Sequence, residues 1–201
     1  TNITGTALLT LQSNRFKDNS GNNLAITATS APKITQFTPF NSSLTGGSAY
    51  IETSSTQYLT APANANLDIT SSDFTVEAWV YFASYNTMAS TGSTIITTFD
   101  VGTNGWSFWI NGTSSVTSLN FSTYSAGSNL DAKSAVIPAG ALPVSTWNHV
   151  AAVRNGTNIY FYINGAQIGT TQAAPTAAGT SGPLSIGVYK QNATYSGNQK
   201  W

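Results

Sequence analysis

Between Trp147 and Thr171, two Asn-Gly pairs, Asn155-Gly156 and Asn164-Gly165, interrupt runs rich in β-branched and aromatic residues. Such pairs are the strongest short-range mark of tight hairpins. A type I′ turn needs positive φ at both central residues, which Gly adopts freely and Asn tolerates. The chain is therefore expected to reverse twice here. The run between the pairs, Asn158 to Ile163, sets Ile159, Phe161 and Ile163 on one side and Tyr160 and Tyr162 on the other, the period of a strand. The stretch predicts a three-stranded antiparallel meander.

Phe74 to Phe82 is the most regular of the remaining strands. Phe74, Val76, Ala78, Val80 and Phe82 make one apolar face, opposite Thr75, Glu77, Trp79 and Tyr81, so one side must be core. Ala7 to Leu11 reads as a first strand, Phe16 to Asn23 as a turn dense in capping residues, and Leu24 to Thr29 as the next strand. Residues 30 to 43 read as loop. Gly46 to Glu52 and Gln57 to Pro62 read as two strands joined by the polar turn Thr53 to Thr56. Thr94 to Phe99, Trp106 to Ile110 and Thr117 to Phe121 follow as strands, with Asn104-Gly105 and Asn111-Gly112 as turn signals. Residues 122 to 146 read as loop, with a short strand at Ser134 to Ile137. Thr171 to Gly182 is again loop, and Leu184 to Tyr189 a last alternating strand. No helical period persists for about ten residues, so the pattern predicts an all-β fold of two packed antiparallel sheets.

A chain of 201 residues suits a single domain over 1–201 and buries about 70% of its unfolded surface. It contains no Cys, which excludes disulfides, thiolate metal sites and a cysteine nucleophile. Charged residues are 7% of the chain and sum to zero, which gives no field for nucleic acid or an anionic membrane. No run approaches the roughly 18 apolar residues of a membrane span, and the start has no signal-peptide pattern.

Several segments resemble laminin-G-like domains of the concanavalin A-like lectin superfamily. They are Asp73 to Val80, Trp147 to Ala151, Arg154 to Thr157, Tyr162 to Gly165 with Gly169, and Asp18 with the following Ser-Gly-Asn. The resemblance runs from Ala7 to about Gly197 and implies a jelly-roll sandwich. It departs at Glu52-Thr53, where the family often carries Asp-Gly. It also implies a further strand after Trp201 that would pair with the first. The expectation is that the chain either continues or receives that strand from another polypeptide.

Glycosidases of such folds use two carboxylates about 5 to 9.5 Å apart. The sequence has no acid-x-acid pair in a strand, and Glu77 has only Thr75 and Trp79 as same-face neighbours. His149 is the single histidine; with no Gly-x-Ser-x-Gly elbow, it reads as structural. Asp100 with Asn104, and Asn129 with Asp131, are the loop clusters with oxygens for a hard cation, so calcium is compatible with the chain although no cofactor is required. Trp79, Tyr81, Trp109, Tyr160, Tyr162 and Tyr189 stand opposite the most apolar strand faces. Such rings offer flat apolar surface with a polar handle, suited to sugar stacking or an interface. Tyr85, Trp106, Tyr124 and Tyr195 are further candidates at a rim. The glycosylation sequons include those at Asn111, Asn155 and Asn192, the first two being turn residues in any case.

The expectation is a non-enzymatic virion structural or adhesion module, of the phage capsid-surface or tail-fibre type. Its partners would be other chains of a homo-oligomer or larger assembly and cell-surface glycans, with no nucleic acid and no membrane insertion. A secreted bacterial carbohydrate-binding domain is the alternative, and a degenerate glycosidase the third reading. The location expected is a virion surface or the extracellular space.

Overall fold

The computed structural model describes residues 4–41, 46–52, 57–83, 92–100, 102–112, 116–179, 182–191 and 194–196. In chain order the strands are β1 (Thr27–Thr29), β2 (Lys33–Thr35), β3 (Ser48–Tyr50), β4 (Tyr58–Ala61), β5 (Phe74–Tyr81), β6 (Ser93–Thr97), β7 (Gly105–Gly112) and β8 (Val116–Ser125). They continue with β9 (Ser128–Val136), β10 (Trp147–Asn155), β11 (Asn158–Ile163), β12 (Ala166–Ala173), β13 (Leu184–Ile186), β14 (Tyr189–Gln191) and β15 (Thr194–Ser196). The helical elements among the described residues are two single 3-10 turns, Ala65–Leu67 and Ile69–Ser71.

A seven-stranded sheet in the order β1-β4-β13-β6-β7-β8-β9 packs on a four-stranded sheet, β12-β11-β10-β5, with β2-β3 and β14-β15 as separate ladders. All pairings are antiparallel. The two-sheet sandwich is the architecture expected of the sequence. Its core lies between the inward residues of both sheets: Val76, Val80, Val150, Ile159 and Phe161 on one side, Phe108, Ile110, Leu119 and Phe121 on the other. Phe74 stacks on Phe121 across the gap, with centroids 4.8 Å apart. Each such fully buried side chain contributes about 1.5–3 kcal/mol. Trp106 is buried here too, and its indole N–H donates to Leu67 O at 2.7 Å, so this ring is core and not a rim contact.

The meander forms as expected, but its two turns differ. Asn164 and Gly165 both have positive φ, 49° and 80°, as type I′ requires. In the first turn Asn155 pairs with Asn158, leaving Gly156 and Thr157 as the loop. Only Gly156 has positive φ, the requirement of type II′.

Other segments depart from the pattern. Ala7 to Leu11 is no strand; it makes one bridge, Thr10 to Asp18, and ends where Leu11 takes φ 64°. Residues 30–43 contain β2, which takes β3 as its partner, so β3 and β4 are not a hairpin. Asn104-Gly105 is not a turn, because Gly105 already begins β7. The expected loop at 122–146 is largely sheet, the second half of β8 and all of β9. At the far end, Gly187 with φ 80° separates β13 from β14. The open edge of β9 is shielded by Gln172, whose side-chain amide donates to Ser134 O at 2.8 Å and whose oxygen accepts from Ser134 N at 3.4 Å. Such masking blocks unwanted strand addition.

Candidate functional site

The alternation that buries Val76, Val80, Val150 and Phe161 turns the intervening residues of the four-stranded sheet outward. Antiparallel register then sets Trp147 opposite Tyr81, His149 opposite Trp79, Ala151 opposite Glu77, and Val153 opposite Thr75. On the other flank Ala151 faces Tyr162, and Val153 faces Tyr160. The result is a shallow trough. Its floor is the small side chains of Ala151 and Val153, its walls are Glu77 on β5 and Tyr160 and Tyr162 on β11, and its head is Trp79 with His149. Two inter-strand spacings make it about 10 Å wide.

At the head, His149 Nε2 lies 3.3 Å from Glu77 Oε2. The two are diagonal neighbours across β5 and β10, a separation long side chains span. The His149 ring leans on Trp79, with centroids 5.3 Å apart. Two further rings come from the segment after β2. Phe40 meets Trp79 edge-on at 5.3 Å, and Phe37 meets Tyr81 edge-on at 4.8 Å and Trp147 at 5.5 Å. Trp79 nevertheless remains 43% exposed, with Phe37 at 56% and Phe40 at 49%. Large rings that open to solvent beside a carboxylate and an imidazole can stack on an apolar face while the polar groups take hydrogen bonds.

Four of the predicted ring residues, Trp79, Tyr81, Tyr160 and Tyr162, thus share this face. Trp109 lies on β7 of the seven-stranded sheet, and Tyr189 begins the separate β14–β15 ladder. Trp109 Nε1–H donates to Ser122 Oγ at 3.2 Å, and Ser122 in turn hydrogen-bonds Tyr124, which hydrogen-bonds Tyr189. Phe99 packs on Tyr124 at 4.2 Å and on Tyr189 at 5.3 Å. Burial first, and then the adjacent Tyr124, pushes the Tyr189 phenol up; burial likewise raises Tyr124. Both stay protonated at neutral pH. Ser107 and Ser122 on this row have no exposed surface, so it is packed structure and offers a ligand little.

Phe37, Phe40 and Trp147 join this face without having been site candidates in the sequence, and His149, expected to be structural, contacts Glu77 and Trp79 here. The only signal for Phe37 and Phe40 was aromatic residues around Pro39 in an otherwise polar loop. Tyr85 and Asn192 lie outside the described residues, and Tyr195 pairs with Lys190 in the β14–β15 ladder.

Asn129 and Asp131, expected in a loop, lie on β9, and the candidate oxygens have other partners. Asp131 accepts from Lys133 Nζ at 2.9 Å and from Thr176 N and Oγ1 at 2.9 and 3.2 Å. Burial alone would raise its carboxyl, but these donors outweigh burial and hold it below its ordinary value. Asn104 Oδ1 accepts from Ala126 N at 3.0 Å, and Asp100 O accepts from Thr103 N at 3.0 Å. Asn129 sits on β9 opposite Tyr124. Calcium takes six to eight converging oxygens; here two of the candidate oxygens already tie loops together. Among the described residues no three His, Asp or Glu side chains gather in a metal-holding group.

Known proteins echo this architecture. A chain of botulinum neurotoxin type C is matched with TM-score 0.64 at 20% identity, over 94% of this chain and 44% of that one. Domain 4 of AbnA, an extracellular arabinanase from Geobacillus stearothermophilus, solved with arabinotriose, matches with TM-score 0.57 at 16% identity, over 94% and 82%. Tailspike protein 2 of the Escherichia coli O157:H7 bacteriophage CAB120 matches with TM-score 0.50 at 14% identity, over 98% and 26%. The chain spans less than half the length of the neurotoxin chains it matches. No curated protein sequence matches it. No helix among the described residues is long and apolar enough to cross a membrane. A laminin G family model, described as concanavalin A-like lectin/glucanases superfamily, matches residues 53–198. With its sandwich of antiparallel sheets and a match over most of its length, this chain belongs to the concanavalin A-like lectin/glucanases superfamily.

Proposed function

We propose that this chain is a non-catalytic glycan-binding module, with its site in the trough headed by Trp79. The observation that carries this reading is Trp79 itself: an indole 43% open to solvent with the Glu77–His149 pair at its side. A sugar presents a C–H face that stacks on such a ring and hydroxyls that donate to Glu77 and exchange hydrogen bonds with His149 and Tyr162. Glycoside hydrolysis needs two carboxylates across the bond. The outward strand positions of this face carry Glu77 and no second acid, which supports binding without catalysis. Two similar structures support the same reading: the arabinanase domain was solved in complex with arabinotriose, and cell entry of the type C neurotoxin depends on interaction with two ganglioside molecules.

The setting we favour is adhesion at a phage-type virion surface, within an assembly of several chains. The tailspike likeness supports it, as does a chain poor in charge and without Cys. A secreted carbohydrate-binding domain is the second reading, favoured by the match over 82% of the arabinanase domain.

A glycan array probed with the purified chain, with calcium and with chelator, tests the function. Trp79→Ala is expected to lower affinity for any bound glycan by about tenfold or more, roughly 1.4 kcal/mol, with little change in melting temperature. Chelator is expected to leave binding unchanged. Absence of binding under both conditions, or full binding by Trp79→Ala, refutes the reading.

A further inference from the structure

We infer that the trough selects uncharged sugars and rejects acidic ones. This rests on the glycan-binding reading and follows from the charges that the fold brings to the face. The outward positions of β5 are Thr75, Glu77, Trp79 and Tyr81; those of β10 are Trp147, His149, Ala151 and Val153; those of β11 are Tyr160 and Tyr162. None is Lys or Arg, and β12 and the segment 36–40 contain neither. Arg154, at the end of β10, alternates to the other face and spends its guanidinium on Thr70 O and Gly156 O. Lys133 lies on the opposite sheet, paired with Asp131.

Among these outward positions the ionisable pair is Glu77 with His149, 3.3 Å apart. The pair supplies one carboxyl and one imidazole and no Lys or Arg. Recognition of a sugar carboxylate relies on Arg or Lys, or on convergent N–H groups. Glu77 is instead acceptor-only when ionised, with two oxygens for hydroxyl donors. Its side chain is 59% exposed, so those oxygens are within reach. Trp79 is two residues further along the same face, about 7 Å away. A ring stacked on that indole thus sets its hydroxyl edge at Glu77, and a carboxylate substituent there would stand against a like charge. Even were the two charges as far apart as the indole and Glu77, about 7 Å, the repulsion would change affinity by roughly threefold in water and roughly fiftyfold at a partly desolvated surface.

The test is a competition titration of the purified chain with matched oligosaccharide pairs, identical except for a terminal sialic or uronic acid. Wild type is expected to bind the neutral member about tenfold tighter. Glu77→Gln should narrow that ratio, and Glu77→Lys should reverse it, with the melting temperature of each variant confirming the fold. Equal binding of both members, lost together in Trp79→Ala, overturns the selectivity while the glycan reading stands. A preference for the acidic member that Glu77→Lys leaves unchanged also overturns it. No binding of either member overturns both.

Discussion

Asp18, a carboxylate with no exposed surface, fixes the N-terminal segment onto the sandwich. One oxygen accepts from Leu9 N and Ser20 N at 3.0 and 2.8 Å, the other from Leu24 N and Ser20 Oγ at 2.9 and 2.8 Å. Burial alone would raise its pKa, but these four donors outweigh burial and hold it below the ordinary value. The bonds let Ala7 and Leu8 pack on the small second core of Leu24, Ala61, Leu67 and Leu184. Asp18→Asn removes the charge and turns one acceptor into a donor facing N–H groups, so it should cost about 2–4 kcal/mol in chemical denaturation. The pH dependence follows from the sign of the shift. A folded pKa below the unfolded value of about 3.9 gives a contribution present in full above about pH 5 and lost as pH falls through the folded pKa. The stability gap between wild type and Asp18→Asn should therefore be widest near neutrality and close below about pH 4. A gap that stays constant to pH 3 contradicts this role.

Turn chemistry decides which elements could be seen in the sequence. Asn164 adopts the left-handed conformation, and its side chain also accepts from His149 N at 2.8 Å; both bind it to the turn, and the Asn-Gly signal finds it. The hairpin β8–β9 has a turn of the same kind at Ala126 and Gly127, with φ 48° and 82°, but Ala stands where Asn would announce it. That substitution, with a β9 whose sequence SNLDAKSAV carries no sustained apolar alternation, hides a nine-residue strand from pattern reading. β5 and the meander show plainly because one side of each is buried against the other sheet. A non-Gly residue at positive φ costs about 1–2 kcal/mol, a strain Asn relieves in part. Ala126→Asn keeps the N–H that donates to Asn104 and is expected to stabilise the chain by about 0.5–1 kcal/mol, raising the melting temperature by roughly 1–4 °C. Asn164→Ala should lower the stability by about 1 kcal/mol or more. Calorimetry of the two variants checks both signs, and a destabilised Ala126→Asn contradicts the assignment of strain.

For the molecule as a whole, the two sheets share a core but present different outer faces. The seven-stranded sheet covers its outer polar row of Ser107, Ser122 and Asn120 and locks Trp109 and Tyr189 into hydrogen bonds and ring contacts. The four-stranded sheet leaves Trp79 open. Strand alternation alone predicts that all six candidate rings point away from the apolar faces. It says nothing of which sheet each strand joins, because that depends on β10 pairing with β5 across 65 intervening residues, a long-range choice without a local mark. The contribution of Phe37 and Phe40 is equally non-local. Whether the sugar sits over Trp79 is decided by the crystal structure of this chain with the tightest-binding array glycan. A sugar ring is expected to stack on the Trp79 indole with a hydroxyl on Glu77; a sugar held at Trp109, or at any place away from the four-stranded sheet, would rule this site out.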